Sequence, residues 1–285
     1  MPEGTADFST AHIQILVATM NRDSLSFLEP MFPYSHYSNY NIIVVNQSNE
    51  KVINDDAHAN VKVINTSTTG LSVSRNIALE NATGKFCLIT DDDVVFEEGF
   101  EQHIINAFTM FPAAGAITFQ YNRQGKSNPV KSYSSWPFQH NSATIRGVSS
   151  IEMILNRDIV SAKHARFNVN FGLGAEFEVA EEFLFLKSLI DRDIAVYYYP
   201  AAIVAHKEWS SGHDHGSNRL IYARAALACK LYGSTAGLWL LKYLQFLVRK
   251  RLVPVSSVPS KFRIGMKGIK KYKSLLDEGK ESRNG

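Results

Sequence analysis

Cysteine is scarce in this 285-residue chain, which has only Cys87 and Cys229. That excludes a disulfide framework, and Cys87, inside an apolar run, reads as a buried thiol. No apolar run is long enough for a membrane-spanning helix. Met1–Thr10 is polar and lacks the apolar segment of a signal peptide, so a cytoplasmic protein is expected. The net charge is only +3, too little to argue for nucleic acid as a partner. Internal repeats and low-complexity tracts are also missing. What is present, 45% apolar and 20% charged residues, is the composition of a globular protein. The length suits one large α/β domain with an appendage, or two small domains. The basic residues are unevenly placed and crowd into the C-terminal region.

Apolar runs without Gly or Pro predict strands at Ile13–Met20, at Tyr40–Asn49 with a polar loop at its end, at Val61–Asn65 and at Lys85–Thr90. Helical spacing predicts helices from Ser24 or Leu25 to about Pro30, over Ser72–Asn81 and over Gly99–Met110. Further strands are expected at Ala116–Phe119, Ala195–Pro200 and Ala202–His206, and Thr144–Ile154 reads as strand-like. Tyr121–Asn141 is polar, contains Trp136, and reads as an excursion from the sheet that is long enough to be functional. Glu181–Ile190 is expected to be helical after the glycine-containing loop Asn168–Gly174. Alternating strands and helices with short loops predict an α/β fold, with a mostly parallel sheet flanked by helices. The expected division is a polar tail over 1–10, an α/β domain over 11–216 and a basic helical extension over 217–285. In that extension Leu220–Tyr232 and Ala236–Leu252 read as helices, and the chain beyond Pro259 is basic and ends in a polar, disordered stretch.

The chemistry centres on Asp91-Asp92-Asp93, three carboxylates at the end of an apolar strand. They repel one another unless something positive lies among them. In an extended chain Asp91 and Asp93 share one face and Asp92 takes the other. A hard divalent cation, Mn²⁺ or Mg²⁺, suits the Asp91–Asp93 pair, with a ligand's phosphates completing its shell. Ligands in open α/β sheets bind beyond the carboxyl ends of the strands, where this cluster falls. The plain alternative is a solvated acidic turn in which Asp93 caps the next helix. Arg22, in a strand-end turn, and Arg75, at a polar helix start, either face phosphate or form ordinary ion pairs.

The order of these features resembles the inverting glycosyltransferases of family 2, which have the GT-A fold, over roughly residues 11 to 215. Val17-Ala18-Thr19-Met20-Asn21-Arg22 resembles that family's first strand and nucleotide-binding turn. Asn46 and Gln47 stand where the family often has an acidic residue facing the base or ribose. Asn65, Gly70-Leu71-Ser72 and Arg75-Asn76 resemble its Asn-Gly-Arg-Asn segment, and Asp91-Asp92-Asp93 its Asp-x-Asp metal motif. Glu181-Glu182 matches an acidic pair that is usually Glu-Asp, and His206 ends a strand where related enzymes place a third metal ligand. The resemblance implies a nucleotide-sugar donor, UDP-linked, and a hydroxyl of a saccharide or lipid-linked acceptor, as in bacterial polysaccharide assembly. It implies donor contacts at Thr19, Asn21, Arg22, Asn46, Gln47, Gly70, Arg75, Asn76, Asp91 and Asp92. The implied metal ligands are Asp91, Asp93 and His206.

The departing diphosphate needs a cation to take up its charge, and the attacking hydroxyl needs a base. Glu182, opening an amphipathic helix, is the candidate base, although helix-dipole complementarity alone also places carboxylates there. Trp136, His140 and Trp209, with Glu181, are candidate acceptor contacts, or packing residues. His213-Asp214-His215 has the residue types of a metal site but reads rather as a mobile loop over the donor or a solvated segment. Two other activities compete. Asp91-Asp92-Asp93-Val94-Val95 also fits the motif of haloacid-dehalogenase-like phosphatases, whose first Asp is a nucleophile on the first core strand. A GT-A-like module could also bind a nucleotide-sugar without turning it over. Finally, Leu238–Val248 is apolar and is followed by Arg249-Lys250-Arg251. This helix either lies peripherally on the inner face of the cell membrane or packs on the catalytic domain or a second subunit.

Overall fold

The computed structural model describes residues 8–54, 58–126, 128–207 and 215–282. The chain forms two compact units, Met1–Phe167 with Glu182–Glu208, and Asn168–Glu181 with Trp209–Gly285. The sequence boundary at 216/217 is therefore displaced: residues 168–181 belong with the C-terminal helices.

In chain order the first unit contains β1 (Ile13–Met20), β2 (Ile42–Gln47), β3 (Val61–Thr66), α1 (Leu71–Asn81), β4 (Phe86–Asp91) and β5 (Val95–Phe96). There follow α2 (Phe100–Met110), β6 (Ala116–Arg123), β7 (Phe138–Gln139), β8 (Met153–Asn156), α3 (Arg157–Ala162), α4 (Glu181–Ile190) and β9 (Val196–His206). The strands form one sheet in the order β3-β2-β1-β4-β8-β6-β9-β5, with β7 also on β9. β3, β2, β1 and β4 run parallel, as do β6 and β9, whereas β8, β5 and β7 pair antiparallel with their neighbours. The sheet is thus mixed but, as expected, mostly parallel, with β5, β7 and β8 running against the rest. The parallel half has the sequence such a half requires: β2 is buried along its whole length and β1 up to its last residue, because helices and loops cover both faces. Phe86 stacks on Phe108 of α2, and Phe96 on Phe32. Each fully buried side chain of this size contributes roughly 1.5–3 kcal/mol. Cys87 and Cys229 are free and buried, and burial pushes the Cys87 thiol up to about 12.

Several elements differ from the expectation. The helix near Pro30 is a short 3₁₀ segment, Ser26–Met31. The strand starting at Ala116 runs on to Arg123, so the excursion begins only afterwards. Thr144–Ile154 is two 3₁₀ turns leading into β8. The two strands expected around Pro200 are one, β9, because register shifts against β6 absorb the proline.

The second unit has three helices, α5 (Asn218–Tyr232), α6 (Ala236–Arg249) and α7 (Val258–Asp277). The basic segment around and beyond Pro259 forms α7, 20 residues long, a helix whose bounds the sequence reading did not give. Its Gly268 lies against α5 so closely that a Cβ there would stand 2.2 Å from the Tyr222 carbonyl oxygen. Lys230 on α5 and Glu281, both buried, pair at 2.9 Å. The Glu281 carboxylate also accepts from the side-chain amides of Asn168 and Asn170, which ties residues 168–181 into this unit. Among the described residues, no helix is long and apolar enough to cross a membrane.

Candidate active site

β4 ends at Asp91, and the chain turns at Asp92 and Asp93. The turn replaces the extended geometry expected of the triplet, and each carboxylate finds a separate partner. Asp92 accepts from Thr19 Oγ1 at 2.6 Å and from Arg22 Nε and Nη2 at 3.0 and 2.7 Å. Asp91 accepts from Arg75 Nη2 at 3.2 Å and from Ser150 Oγ at 3.5 Å. Asp93 Oδ1 lies 3.2 Å from His206 Nε2.

Arg75 is the hub. It is 2% exposed, and its Nη1 stands 3.6 Å from Glu182 Oε1. One buried guanidinium thus joins the end of β4 to the start of α4. The Phe167 ring lies 5.5 Å beneath it. Asn76 holds Phe167 in place: its Oδ1 accepts from the Phe167 N–H at 2.8 Å and its Nδ2 donates to the Phe167 carbonyl at 2.9 Å.

His206 Nδ1 is 2.7 Å from the Lys207 carbonyl, which only accepts, so Nδ1 carries hydrogen. Nε2, facing Asp93, is left to hold a proton or a metal ion. With a proton there, the hydrogen bond to Asp93 raises His206 above its ordinary value, and the bond from His206 lowers Asp93 below its own. An imidazole nitrogen fixed by its second nitrogen, beside a carboxylate oxygen, is a donor set that fits Mn²⁺ and tolerates Mg²⁺. Among the described residues no three His, Cys, Asp or Glu side chains form a metal cage. Asp91 is the member of the expected trio drawn elsewhere, toward Arg75 and Ser150.

Other expected donor contacts are structural here. Asn46 is fully buried. Its Oδ1 accepts from the Arg22 N–H at 3.1 Å, and its Nδ2 donates to the Arg22 carbonyl at 2.9 Å and to Asn65 Oδ1 at 3.0 Å. It shapes the turn after β1. Gln47 is buried and donates to the Gly70 carbonyl at 3.1 Å. Gly70 opens α1 at φ 105° and Asn21 sits at φ 56°, so both serve through backbone conformation. Arg75 and Asn76, both buried, position neighbouring groups. Arg22, with its side chain 43% exposed, remains open to a ligand.

The acceptor candidates separate as well. Trp136 is 78% exposed. Its loop is anchored by Glu152, which is buried and accepts from Lys131 Nζ at 2.7 Å, Tyr133 OH at 2.6 Å and the Ser149 N–H at 2.6 Å. Burial pushes the Glu152 carboxyl up. Glu181 is buried, which withdraws it from acceptor contact. Trp209, His213 and Asp214 lie outside the described residues. Ser150 and Phe167 were not anticipated; Ser149-Ser150-Ile151-Glu152 is an S-x-x-E capping pattern that marks the turn.

His140 is buried, its ring nitrogens 2.8 and 2.9 Å from the hydroxyls of Thr118 and Thr144. Burial lowers its pKa to about 4, against about 6.5 when unfolded. The unfolded chain therefore binds more protons between these values, and stability present above pH 6.5 is lost as pH falls toward 4. At pH 5 the expected loss from this group is up to about 2 kcal/mol. Denaturant titrations at pH 7 and pH 5 should show a smaller pH effect in His140→Gln than in the parent; equal effects would assign the loss to other groups.

The profile of "Glycosyl transferase family 2" matches residues 17–170, more than half of the chain. No curated protein matches significantly. Among solved structures, that of S. aureus TarS 1-349 is similar with a TM-score of 0.54 and 14% identity, over 94% of this chain and 91% of that one. Its complex with UDP gives 0.53 at 15% identity, over 94% and 91%. Its complex with UDP-GlcNAc gives 0.51 at 12%, over 94% and 92%. At such identities the likeness shows the fold alone.

Proposed function

The chain belongs to glycosyl transferase family 2 and has a GT-A-like α/β fold, and on that premise we propose a metal-dependent, inverting transfer of a sugar from a nucleotide-sugar to an acceptor hydroxyl. One observation carries the reading: Arg75 places Asp91 and Glu182, far apart in sequence, on the two sides of a single side chain. A donor-side acidic turn and a candidate base thereby share one site.

Asp93 and His206 are the residues that would hold Mn²⁺ or Mg²⁺. Such an ion, when bound, offsets the charge that grows on the departing diphosphate. Arg22, anchored on Asp92 but half-exposed, supplies a second positive charge toward the phosphates. Glu182, its side chain 18% exposed and held by Arg75, accepts the proton of the attacking hydroxyl. A single in-line displacement inverts the anomeric carbon. UDP is the proposed nucleotide, because structures similar in fold are complexes with UDP and UDP-GlcNAc. The phosphatase alternative falls with the family assignment, and Asp91, on the fourth strand and engaged by Arg75 and Ser150, is not arranged as a nucleophile.

The acceptor is a saccharide or lipid-linked saccharide of the kind used in bacterial polysaccharide assembly. Trp136, an exposed ring on an anchored loop, is the platform for it. Trp136→Ala should raise the acceptor KM about two- to tenfold, on the order of one stacking contact of 0.5–1.5 kcal/mol, and leave donor affinity unchanged. An unaltered acceptor KM would remove Trp136 from the site. The reading as a whole is tested by nucleoside diphosphate release from a panel of nucleotide-sugars with Mn²⁺, with and without acceptor. Release of inorganic phosphate, or no turnover with any donor, would overturn it.

A further inference from the structure

From His215 to Leu276 the chain has thirteen Lys and Arg residues and not one Asp or Glu, so this stretch carries +13 in a protein whose net charge is +3. Such segregation is confined to the C-terminal helices. Part of the charge is used internally, as in Arg219 with Glu178 and Lys230 with Glu281. Lys242, Arg249, Lys250 and Arg251 are exposed and, among the described residues, form no ion pair. The same holds for Arg263, Lys267, Lys270 and Lys273, which follow one face of α7 at spacings of three and four.

The outer face of α6 adds a second, independent feature. Leu240, Leu244 and Leu247 are buried, whereas Leu238 is 63%, Leu241 50% and Phe246 49% exposed. These three share the outer face with Lys242 and Arg249. Beyond the helix Leu252 and Val255 are exposed too, at 45% and 70%.

We propose that this face rests on an anionic lipid bilayer, with Leu238, Leu241 and Phe246 in the acyl boundary and the neighbouring cations among the headgroups. At 14 residues α6 is about 21 Å long, too short to span and well suited to lie flat. Other occupants fit less well. A second copy would bring two carboxylate-free surfaces together against like-charge repulsion. A nucleic acid would engage the lysines but leave the leucines and phenylalanine in water. The inference deepens the reading above, since a lipid-linked acceptor lies in the bilayer that this face would meet.

The test is co-sedimentation of the full chain with vesicles of phosphatidylcholine alone and with about one third phosphatidylglycerol, at ~0.1 M and ~0.5 M salt, where screening differs strongly. The chain should sediment with the anionic vesicles at low salt and be largely released at high salt. Leu238→Ser/Leu241→Ser/Phe246→Ser, exposed positions whose change should leave folding intact, should lose at least about tenfold in partition, as three apolar side chains no longer insert. Lys242→Glu/Arg249→Glu should lose the preference for anionic vesicles. Equal partition to both compositions, or unchanged binding by both variants, overturns the proposal. So does a dimer in analytical ultracentrifugation that the triple serine variant disperses. No donor or acceptor is present, so failure here leaves the transferase reading standing, and failure of transfer leaves this result standing.

Discussion

Glu182→Gln should lower turnover by roughly 10²–10⁴, the range that positioned general-base catalysis supplies, while donor affinity changes little. The substitution keeps size and a hydrogen-bonding oxygen for Arg75, so the α4 start should hold its place. It removes the negative charge that faces Arg75 at 3.6 Å. A buried guanidinium then has Asp91 as its remaining named carboxylate partner, and some stability should be lost. A melting curve separates that loss from the kinetic one. Glu181→Gln, at a buried position, serves as a control for the acidic pair. Turnover is read as nucleoside diphosphate released in the presence of acceptor, and product configuration by NMR. If Glu182→Gln turns over normally, the base is elsewhere. A product that retains the donor's configuration would rule out a single displacement whatever the variant does.

Asp93→Asn should weaken Mn²⁺-dependent donor binding by a hundredfold or more, on the order of the several kcal/mol that a metal contributes to diphosphate charge. Asp93 is 51% exposed at a turn, so the fold should survive. The amide can still accept a hydrogen bond from His206 but brings no charge to a cation. Asp91→Asn should act differently, because Asp91 faces Arg75 and Ser150: its main effect should be on stability and on Glu182, with metal dependence retained. Calorimetric titration of the donor, with Mn²⁺ and with excess chelator, distinguishes the two. Unchanged affinity in Asp93→Asn, or full turnover in chelator, would move the metal site away from Asp93 and His206.

Much of this site was legible because it is written in local pattern. An apolar run that stops at three carboxylates can be read without coordinates, as can an acidic pair opening an amphipathic helix. The roles of the amides could not be read. Asn46 and Asn76 look like any polar residue near a ligand, yet each has its donors and acceptors taken up by the backbone of a distant segment. The partner of Asp91 is likewise a long-range fact, since nothing near Arg75 in sequence signals that it will be buried between two carboxylates. The last helix, α7, was not legible, for a different reason. Gly265 and Gly268 lower helix propensity, yet Gly268 is where α7 meets the Tyr222 backbone at a distance no side chain would allow.

The register of β9 against β6 has a consequence best stated as parity. Eleven residues of β9 run beside eight of β6, with the surplus taken up between Tyr198 and Val204. Before the irregularity Val196 and Tyr198 are buried and Tyr197 and Tyr199 only partly; after it Ala201, Ile203, Val204 and Ala205 are all buried. His206 ends the strand with its Nε2 3.2 Å from Asp93 Oδ1. Side chains alternate with a period of two, so a chain shortened by one residue between Tyr199 and Ala201 would turn His206 to the other face of the sheet. A chain shortened by two would keep its face but draw it back by about 6.6 Å. Either way the imidazole leaves Asp93, so the length of this strand is constrained as tightly as the identity of the residue that ends it.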